Sequence, residues 1–506
     1  MEPTGEQRQA RDVFAAGGDL AVVAGAGTGK TSTLMLMAAA TRRRGLYLAF
    51  NRATAEDARR RFGPNVQCRT AHSLAYRAVG ARYRDRLNSA ARIPSAQVAR
   101  ILGIRRPLTV GRVTISEAHQ ARLVLGMVRR FCFSSDTEIK ASHLDSLNGL
   151  SPGELDYVAG ALIRSGWNAW DDLRAPAGRL RFEHDHYLKI WALGHPVLPG
   201  DFVLLDEAQD TNPVLEEIFL AQGAQRVCVG DPAQQIYAWR AARDVMTGFA
   251  GDHVQLTRSF RFGPAIADVA NRWLGYAASE LRLTGAGPAD STVRAAADAA
   301  IPGNSANSTS RADAVLCRSN ADVMKEVLGF LDDGVRVAIT GGGEALRRIA
   351  EAAQELKSGR RTSHPELFLF PSWGAVQEYA ENDEAAQDLK TLVGLVDEHG
   401  PETVIAAVGR LSPEDDAEVT VSTAHKAKGR EWEGVRIGPG FGVPIAEPGE
   451  QQRRLSLEEA RLIYVAVSRA RRELDVTGLE WADAYEKAIT PPGGPLWRPV
   501  TRRESS

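Results

Sequence analysis

Short, unbroken apolar runs punctuate this chain, and between them the apolar positions fall into helical spacing. The runs are "LAVVA" (Leu20–Ala24), "GLYLAF" (Gly45–Phe50), "DFVLLD" (Asp201–Asp206), "RVCVGD" (Arg226–Asp231), "DAVLCR" (Asp313–Arg318), "VRVAIT" (Val335–Thr340) and "AEVTVST" (Ala417–Thr423). Apolar segments of this length, bounded by turn or charged residues, suit strands buried on both faces of a parallel sheet. Lys30 to about Arg43 reads as a helix between the first two runs. Strands separated by helices predict a doubly wound α/β architecture. Two longer stretches, about 84–190 and about 344–414, read as helical and interrupt the alternation as insertions. The strand-rich blocks that flank them predict two similar α/β domains, although no internal repeat is visible. "TGAGPADSTVRAAADAAIPGNSANSTS" (Thr284–Ser310) reads as a low-complexity surface excursion, and "PPGGPLWRPVTRRESS" at the end as a disordered tail.

Composition changes this picture little. At 506 residues the chain exceeds what one core usually spans, so more than one domain is expected. Apolar residues make up 44% and charged residues 25%, as in ordinary soluble proteins. With a net charge of −1, any polyanionic partner must be met by a local basic surface. Arginine outnumbers lysine, which suits bidentate phosphate contacts but is better read as the mark of a GC-rich genome. The cysteines (Cys68, Cys132, Cys228, Cys317) are far apart and form no CxxC pair, which argues against disulfides, a zinc ribbon or an iron–sulfur cluster. No apolar run nears the roughly 20 residues needed to cross a bilayer. A cytoplasmic protein without membrane partners is expected.

Two segments carry recognisable chemistry. "AGAGTGKT" (Ala24–Thr31) follows a strand and opens a helix, the setting in which glycines let backbone N–H groups converge on phosphate oxygens. Its first position is Ala24 where the strict pattern has glycine. Lys30 is placed to reach the β- and γ-phosphates, and Thr31 to ligate Mg²⁺. "VLLDEAQD" (Val203–Asp210) is an apolar strand ending in acids, with Asp206 suited to hold Mg²⁺ and Glu207 to polarise an attacking water. Together they predict a nucleoside triphosphatase using ATP and Mg²⁺.

A third segment narrows the class. "GDPAQQIYAWRAA" (Gly230–Ala242), with its Gly-Asp-x-x-Gln-x-Ile-Tyr-x-Trp-Arg order after a strand, resembles the third motif of the UvrD/Rep-like DNA helicases of superfamily one. "HDHYLKIWALGHPVLPGDFVLLDEAQDTNP" (His184–Pro213) more narrowly resembles the F-box DNA helicases and their bacterial relatives. With the phosphate loop starting at Ala24, no F-box is expected ahead of it. The resemblance runs in motif order from about Thr4 to Arg472. It implies that Gln7 reads adenine and that Gly25, Ala26, Gly27, Thr28, Gly29, Lys30, Thr31 and Thr33 surround the nucleotide. It places Phe260 where the family stacks adenine, with Gly429 and Glu431 near the nucleotide. Asp231 and Gln234 fall at phosphate-sensing positions, and Arg261 and Arg469 act as arginine fingers. On the DNA side it implies Phe50, Asn51, Arg52, Thr70, His72, Tyr237, Trp239, Arg240 and His425. The implied architecture is two RecA-like domains with an ATP cleft between them. Domain 1A takes 1–83 and 191–255, helical insertion 1B takes 84–190, and 2A takes 256–343 and 415–490. A reduced 2B insertion takes 344–414, and a disordered tail 491–506.

Several of these residues keep a plainer alternative. By spacing alone Trp239 and Phe50 suit core aromatics, and only the motif tips them towards bases. His184 and His186 flank Asp185 but lack further ligands, so no metal is assigned there. "TGGGE" (Thr340–Glu344) lacks the lysine of a phosphate loop and reads as a structural turn. The implied activity is ATP-driven 3′→5′ movement on single-stranded DNA and at its junctions with duplex, in repair, recombination or defence against foreign DNA. The short 2B region keeps open a second reading, a nucleotide-sensing regulatory subunit that works with a protein partner such as a nuclease.

Overall fold

The computed structural model describes residues 2–88, 93, 95–111, 113–145, 147, 150–236, 244–295, 312–364, 367, 370–382, 387–442 and 455–489. Two six-stranded sheets organise them. The first contains β1 (Leu20–Ala24), β2 (Gly45–Leu48), β3 (Val66–Arg69), β6 (Phe202–Leu205), β7 (Gln225–Gly230) and β8 (Asp252–Leu256) in the order β3-β2-β6-β7-β1-β8. Every neighbouring pair in it is parallel. The second contains β11 (Thr292–Arg294), β12 (Ala314–Cys317), β13 (Val337–Ile339), β14 (Val419–Thr423), β15 (Trp432–Ile437) and β16 (Ala470–Asp475) in the order β11-β16-β15-β12-β14-β13, again all parallel. The expected α/β class with two parallel sheets is therefore what the chain adopts. The apolar runs form central strands, except that β13 lies at an edge of the second sheet, and all four residues of β2, β6 and β12 are buried.

Two groups of helices separate these strands. Between β3 and β6 lie Ser95–Ile101, Glu117–Phe133, Pro152–Arg174 and His184–Ala192, packed around Phe131 and Trp170, whose rings meet edge-on at 5.2 Å. Between β13 and β14 lie Glu344–Lys357, Trp373–Asn382, Gln387–His399 and Pro401–Gly409. The first group also holds an antiparallel hairpin, β4 (Leu108–Val110) and β5 (Val113–Ile115), that periodicity did not signal because its strands are too short to show alternation. Among the described residues no helix is long and apolar enough to cross a membrane. The cysteines are free and buried apart from one another.

Three expectations need correction. The helix from Lys30 ends at Ala39 rather than near Arg43, because Thr41 Oγ1 accepts from Arg43 N–H and turns the chain into β2. Strand β2 stops at Leu48, leaving Phe50 beyond it. The stretch from Thr284 is not simply a surface excursion. Its β10 (Thr284–Gly285) pairs with β9 (Arg258–Ser259), and β11 forms an edge of the second sheet. A Cβ on Gly285 would lie 2.3 Å from the Gly263 backbone, so glycine serves close packing here rather than looseness. Residues 296–311, and the expected tail at 491–506, lie outside the described residues.

Candidate functional site

In a parallel α/β sheet, ligands gather at the carboxyl ends of the strands, where helix N-termini and loops converge. That edge of the first sheet carries the sequence-predicted residues of the first domain. The chain leaves β1 at buried Ala24 and turns through Gly27 (φ 74°) and Gly29 (φ 83°) into the helix Lys30–Ala39. A Cβ on Gly27 would lie 2.5 Å from Arg261 Cβ, so this turn must be glycine. No side chain caps the helix at Gly29, which leaves amides of the first turn available to an anion. Lys30 Nζ rests on the Ala24 carbonyl at 3.3 Å. Thr28 is buried and donates to the Gly25 carbonyl at 2.9 Å, while Thr33 donates to the Gly29 carbonyl at 3.0 Å. Gln7 forms a reciprocal cap with Thr4, and its amide lies beside Gly29. Phe260 N–H donates to the Gly27 carbonyl at 2.9 Å, bringing that ring's backbone onto the loop.

At the end of β6 the two acids differ in circumstance, Asp206 buried and Glu207 partly so. Asp206 Oδ1 accepts the Glu207 N–H at 2.9 Å, and Oδ2 accepts from Tyr47 and, at 3.5 Å, from Thr31 Oγ1. Burial, then the charge of Glu207, pushes the Asp206 carboxyl up to about 6. Burial would raise Glu207 too, but Lys30 and Lys428 overcome it and hold that carboxyl below its ordinary value. Glu207 has φ 52°, a left-handed conformation that costs a non-glycine residue about 1–3 kcal/mol and concentrates at functional positions. Gln209 Nε2 holds its Oε2 at 2.6 Å. The Thr31 hydroxyl and Asp206 carboxylate converge as hard oxygen donors, the chemistry that fits Mg²⁺.

The segment after β7 meets residues from the other sheet. Gln234 Nε2 donates to Asp231 Oδ2 at 2.6 Å, and Arg469 Nη2 donates to Gln234 Oε1 at 3.3 Å. Arg469 is 1% exposed; burial, then Arg261, lowers its guanidinium to about 9. Arg261 Nε pairs with Glu431 at 2.7 Å, and its Nη1 donates to the Ser468 carbonyl at 2.9 Å. Gly429, at φ 84°, sits two residues before Glu431. The predicted phosphate-sensing and arginine positions thus form one connected group.

Four further residues that sequence reasoning did not assign belong to it. Lys428 ion-pairs with buried Asp210 and donates to the Gln234 carbonyl at 2.6 Å. Tyr464 touches both Ala26 and Asp231. Arg461 Nη1 reaches Gln235 Oε1 at 2.9 Å. Tyr47 is the fourth, and a polar tip inside an apolar strand was the signal that could have found it. For Lys428, Arg461 and Tyr464 no local pattern says that they reach across to another sheet.

Of the predicted DNA residues, Phe50, Asn51, Arg52, Thr70 and His72 lie just past the ends of β2 and β3. Phe50 is 46% exposed and so is not a core aromatic. Asn51 and Thr70 cap the helices that follow, accepting from Thr54 N–H and Ser73 N–H. Arg52 pairs with Glu56 at 2.7 Å on the surface, and His72 meets Asp185 at 3.1 Å, linking this edge to the helix His184–Ala192. His186 Nδ1 accepts the Glu183 N–H, and His184 meets the Tyr187 hydroxyl, so both are used within that helix. His425 follows β14 on the second sheet; burial, then Arg318 and Lys428, lowers it to about 4. Tyr237, Trp239 and Arg240 lie outside the described residues.

Two parallel α/β sheets, with a phosphate loop on one and arginines set against it, give the geometry of a P-loop nucleotide site. Residues 200–249 match the UvrD/REP helicase N-terminal domain, and residues 418–477 match the UvrD-like helicase C-terminal domain. It is homologous to F-box DNA helicase protein 1 of Schizosaccharomyces pombe, with 28% identity over 90% of this chain and 55% of that protein. F-box DNA helicase 1 of Gallus gallus is 29% identical over 89% of this chain and 46% of its own length. ATP-dependent DNA helicase UvrD2 of Mycobacterium tuberculosis (strain H37Rv) is 30% identical over 55% of this chain and 47% of its own. The chain spans about half the length of these curated relatives.

Proposed function

We propose that this chain is an ATP-dependent DNA helicase that translocates along single-stranded DNA, 3′→5′, in the cytoplasm, in DNA repair, recombination or defence. The observation that carries this reading is the contact of Arg469 with Gln234, across the cleft and beside the phosphate loop. Gly25–Thr31 and Lys30 bind the ATP phosphates, with Gln7 and Phe260 at the adenine. Thr31 and Asp206 would hold Mg²⁺, which supplies charge neutralisation to the phosphates when bound. Glu207, kept ionised by Lys30 and Lys428, orients the attacking water and accepts its proton. Arg261 and Arg469 stabilise charge on the transferred phosphoryl group. Closure on ATP and opening after hydrolysis would then shift the grip of the 237–240 segment, Phe50 and His425 on the strand. The domain limits proposed are those expected from sequence, with 1A and 2A around the two sheets and 1B and 2B as the helical insertions.

ATP turnover measured with and without single-stranded oligonucleotide tests the proposal. DNA should stimulate the wild-type chain strongly and leave Lys30→Ala inactive; an unstimulated wild type would refute it. The small insertion between β13 and β14 favours one alternative, a nucleotide-sensing regulatory subunit of a DNA-processing complex, for example with a nuclease. Stimulated ATPase without unwinding of a 3′-tailed duplex would select that reading.

A further inference from the structure

The helix Leu457–Val467 reaches the 231–235 segment at three points. Arg461 donates to Gln235 at 2.9 Å, Tyr464 Oη donates to Asp231 Oδ2 at 2.9 Å, and Arg469, two residues past the helix end, donates to Gln234 at 3.3 Å. Positions 461 and 464 lie one turn apart on the same helix face. An arginine has no acceptor, so of the three only the tyrosine can also receive a hydrogen bond. It receives one from the phosphate loop: Ala26 N–H donates to Tyr464 Oη at 3.1 Å. A continuous series of hydrogen bonds therefore runs from Ala26 through Tyr464 to Asp231, which also accepts from Gln234, which in turn accepts from Arg469. All five residues are buried. In such surroundings hydrogen bonds polarise one another, and a missing member leaves its neighbours unsatisfied.

We propose that Tyr464 is a positioning residue whose hydroxyl ties the phosphate loop to Asp231 and thereby sets Gln234 for DNA-stimulated hydrolysis. The inference rests on the reading of the cleft as a DNA-stimulated ATPase. Its physical content is that one hydroxyl group is the shared partner of two segments with different ligands. Ala26 belongs to the loop that holds phosphate. Asp231 and Gln234 begin the segment that continues in sequence to positions 237–240, proposed above to grip the strand. Without the hydroxyl, Gln234 keeps Arg469 but Asp231 loses its link to the loop, so DNA at one end is no longer registered at the other.

The test uses the full chain and three variants: Tyr464→Phe, which keeps the ring, Asp231→Asn, and the double variant. For each, the ratio of ATPase rates with and without oligo(dT) is measured, together with the affinity for a fluorescent ATP analogue and the melting temperature. Tyr464→Phe should lose about tenfold of the stimulation ratio, the scale of one buried hydrogen bond, while analogue affinity changes by less than about threefold. The double variant should be no worse than Asp231→Asn alone, because both act on one series. A Tyr464→Phe protein with undiminished stimulation would overturn the inference, whatever its melting temperature. So would a double variant whose losses multiply. If Tyr464→Phe does not fold, Asp231→Asn with normal stimulation overturns it equally. An unstimulated wild type would instead remove the reading of the cleft itself, a result distinct from each of these.

Discussion

Along one edge of the first sheet, two neighbourhoods differ in how they are built. At the ends of β6, β7 and β1 the polar groups are buried and bonded to one another: Asp231 is 0% exposed, Gln234 4% and Arg469 1%. At the ends of β2 and β3, Phe50 stands 46% exposed and Arg52 carries a surface ion pair. A buried network works as a unit, because each member is another member's only compensation for lost water. An exposed set works by independent, additive contacts that water and salt compete for. The proposed nucleotide side should therefore show large, non-additive effects, and the proposed strand-binding side small, separable ones.

The sharpest way to break that contrast is to remove an arginine from the buried side. Arg469→Ala should lower ATP turnover by about 10³–10⁵-fold, the range of arginine fingers in other NTPases, with a smaller change in nucleotide affinity. Arg261→Ala should act in the same sense, and the double variant should cost less than the product of the two. Glu207→Gln should bind nucleotide and hydrolyse it poorly. Single-turnover ATPase assays decide; either arginine variant within twofold of wild type removes that side chain from the reaction.

Next in size is the ion pair between Lys428 and Asp210. Burial pushes the Asp210 carboxyl up to about 6, with Lys428 opposing it. Lys428→Met keeps the stem and strands the acid, so it should destabilise the protein by about 3–5 kcal/mol. Lys428→Met with Asp210→Asn should recover much of the loss. Chemical denaturation measures both, and equal stability of wild type and Lys428→Met would show that the pair does not hold the two sheets together.

The same contrast explains what could be read from sequence. Lys30, Asp206, Glu207 and Gln234 sit in short segments whose chemistry is local: a strand, then a turn, then the functional group. Phe50 was set apart from the core only by its motif, and it stands exposed although spacing alone favoured the core. Tyr47, Lys428 and Tyr464 act through partners far away in sequence, and the pairing of strands, not their composition, decides which partners those are. Thr292–Arg294 was hidden for a related reason. Gly, Ala, Ser and Pro in that stretch look like a loop, yet its glycines allow backbones to meet, and the strand is defined by β16 beside it. The hairpin at β4 and β5 was missed because three-residue strands leave no period to detect.

On the exposed side the expected effects shrink. Phe50→Ala should cost about 1–3 kcal/mol of single-strand affinity, with little preference for base identity. Melting temperature should hardly move, since the ring is already half in water. A stability loss with unchanged affinity would make Phe50 a packing residue after all. Acid titration reports on two partly buried histidines outside the exposed set. His186 and His425 are each lowered to about 4, first by burial, so the unfolded chain takes up protons that the folded chain refuses. Stability from these groups is present above about 6.5, the ordinary histidine value, and declines as pH falls towards 4. Melting curves across that window should show the decline, and His186→Gln should make it shallower.

The smallest effect should come from Arg52. Its side chain is 91% exposed and its pairing with Glu56 is a surface contact, so its removal should leave folding and basal ATPase unchanged. If it meets a phosphate, its loss releases one fewer counterion on binding. The slope of log affinity against log salt should then fall by about 0.7, the single-strand value per contact, with affinity falling most at low salt. The change should be the same for every sequence, because a phosphate carries no base information. Fluorescence anisotropy of labelled oligonucleotides between about 50 and 200 mM salt resolves such a difference. An unchanged slope would remove Arg52 from the strand-binding set and confine that set to Phe50 and its neighbours. A change of several units would mean that Arg52 supports other basic contacts, and that the exposed side is coupled as the buried side is.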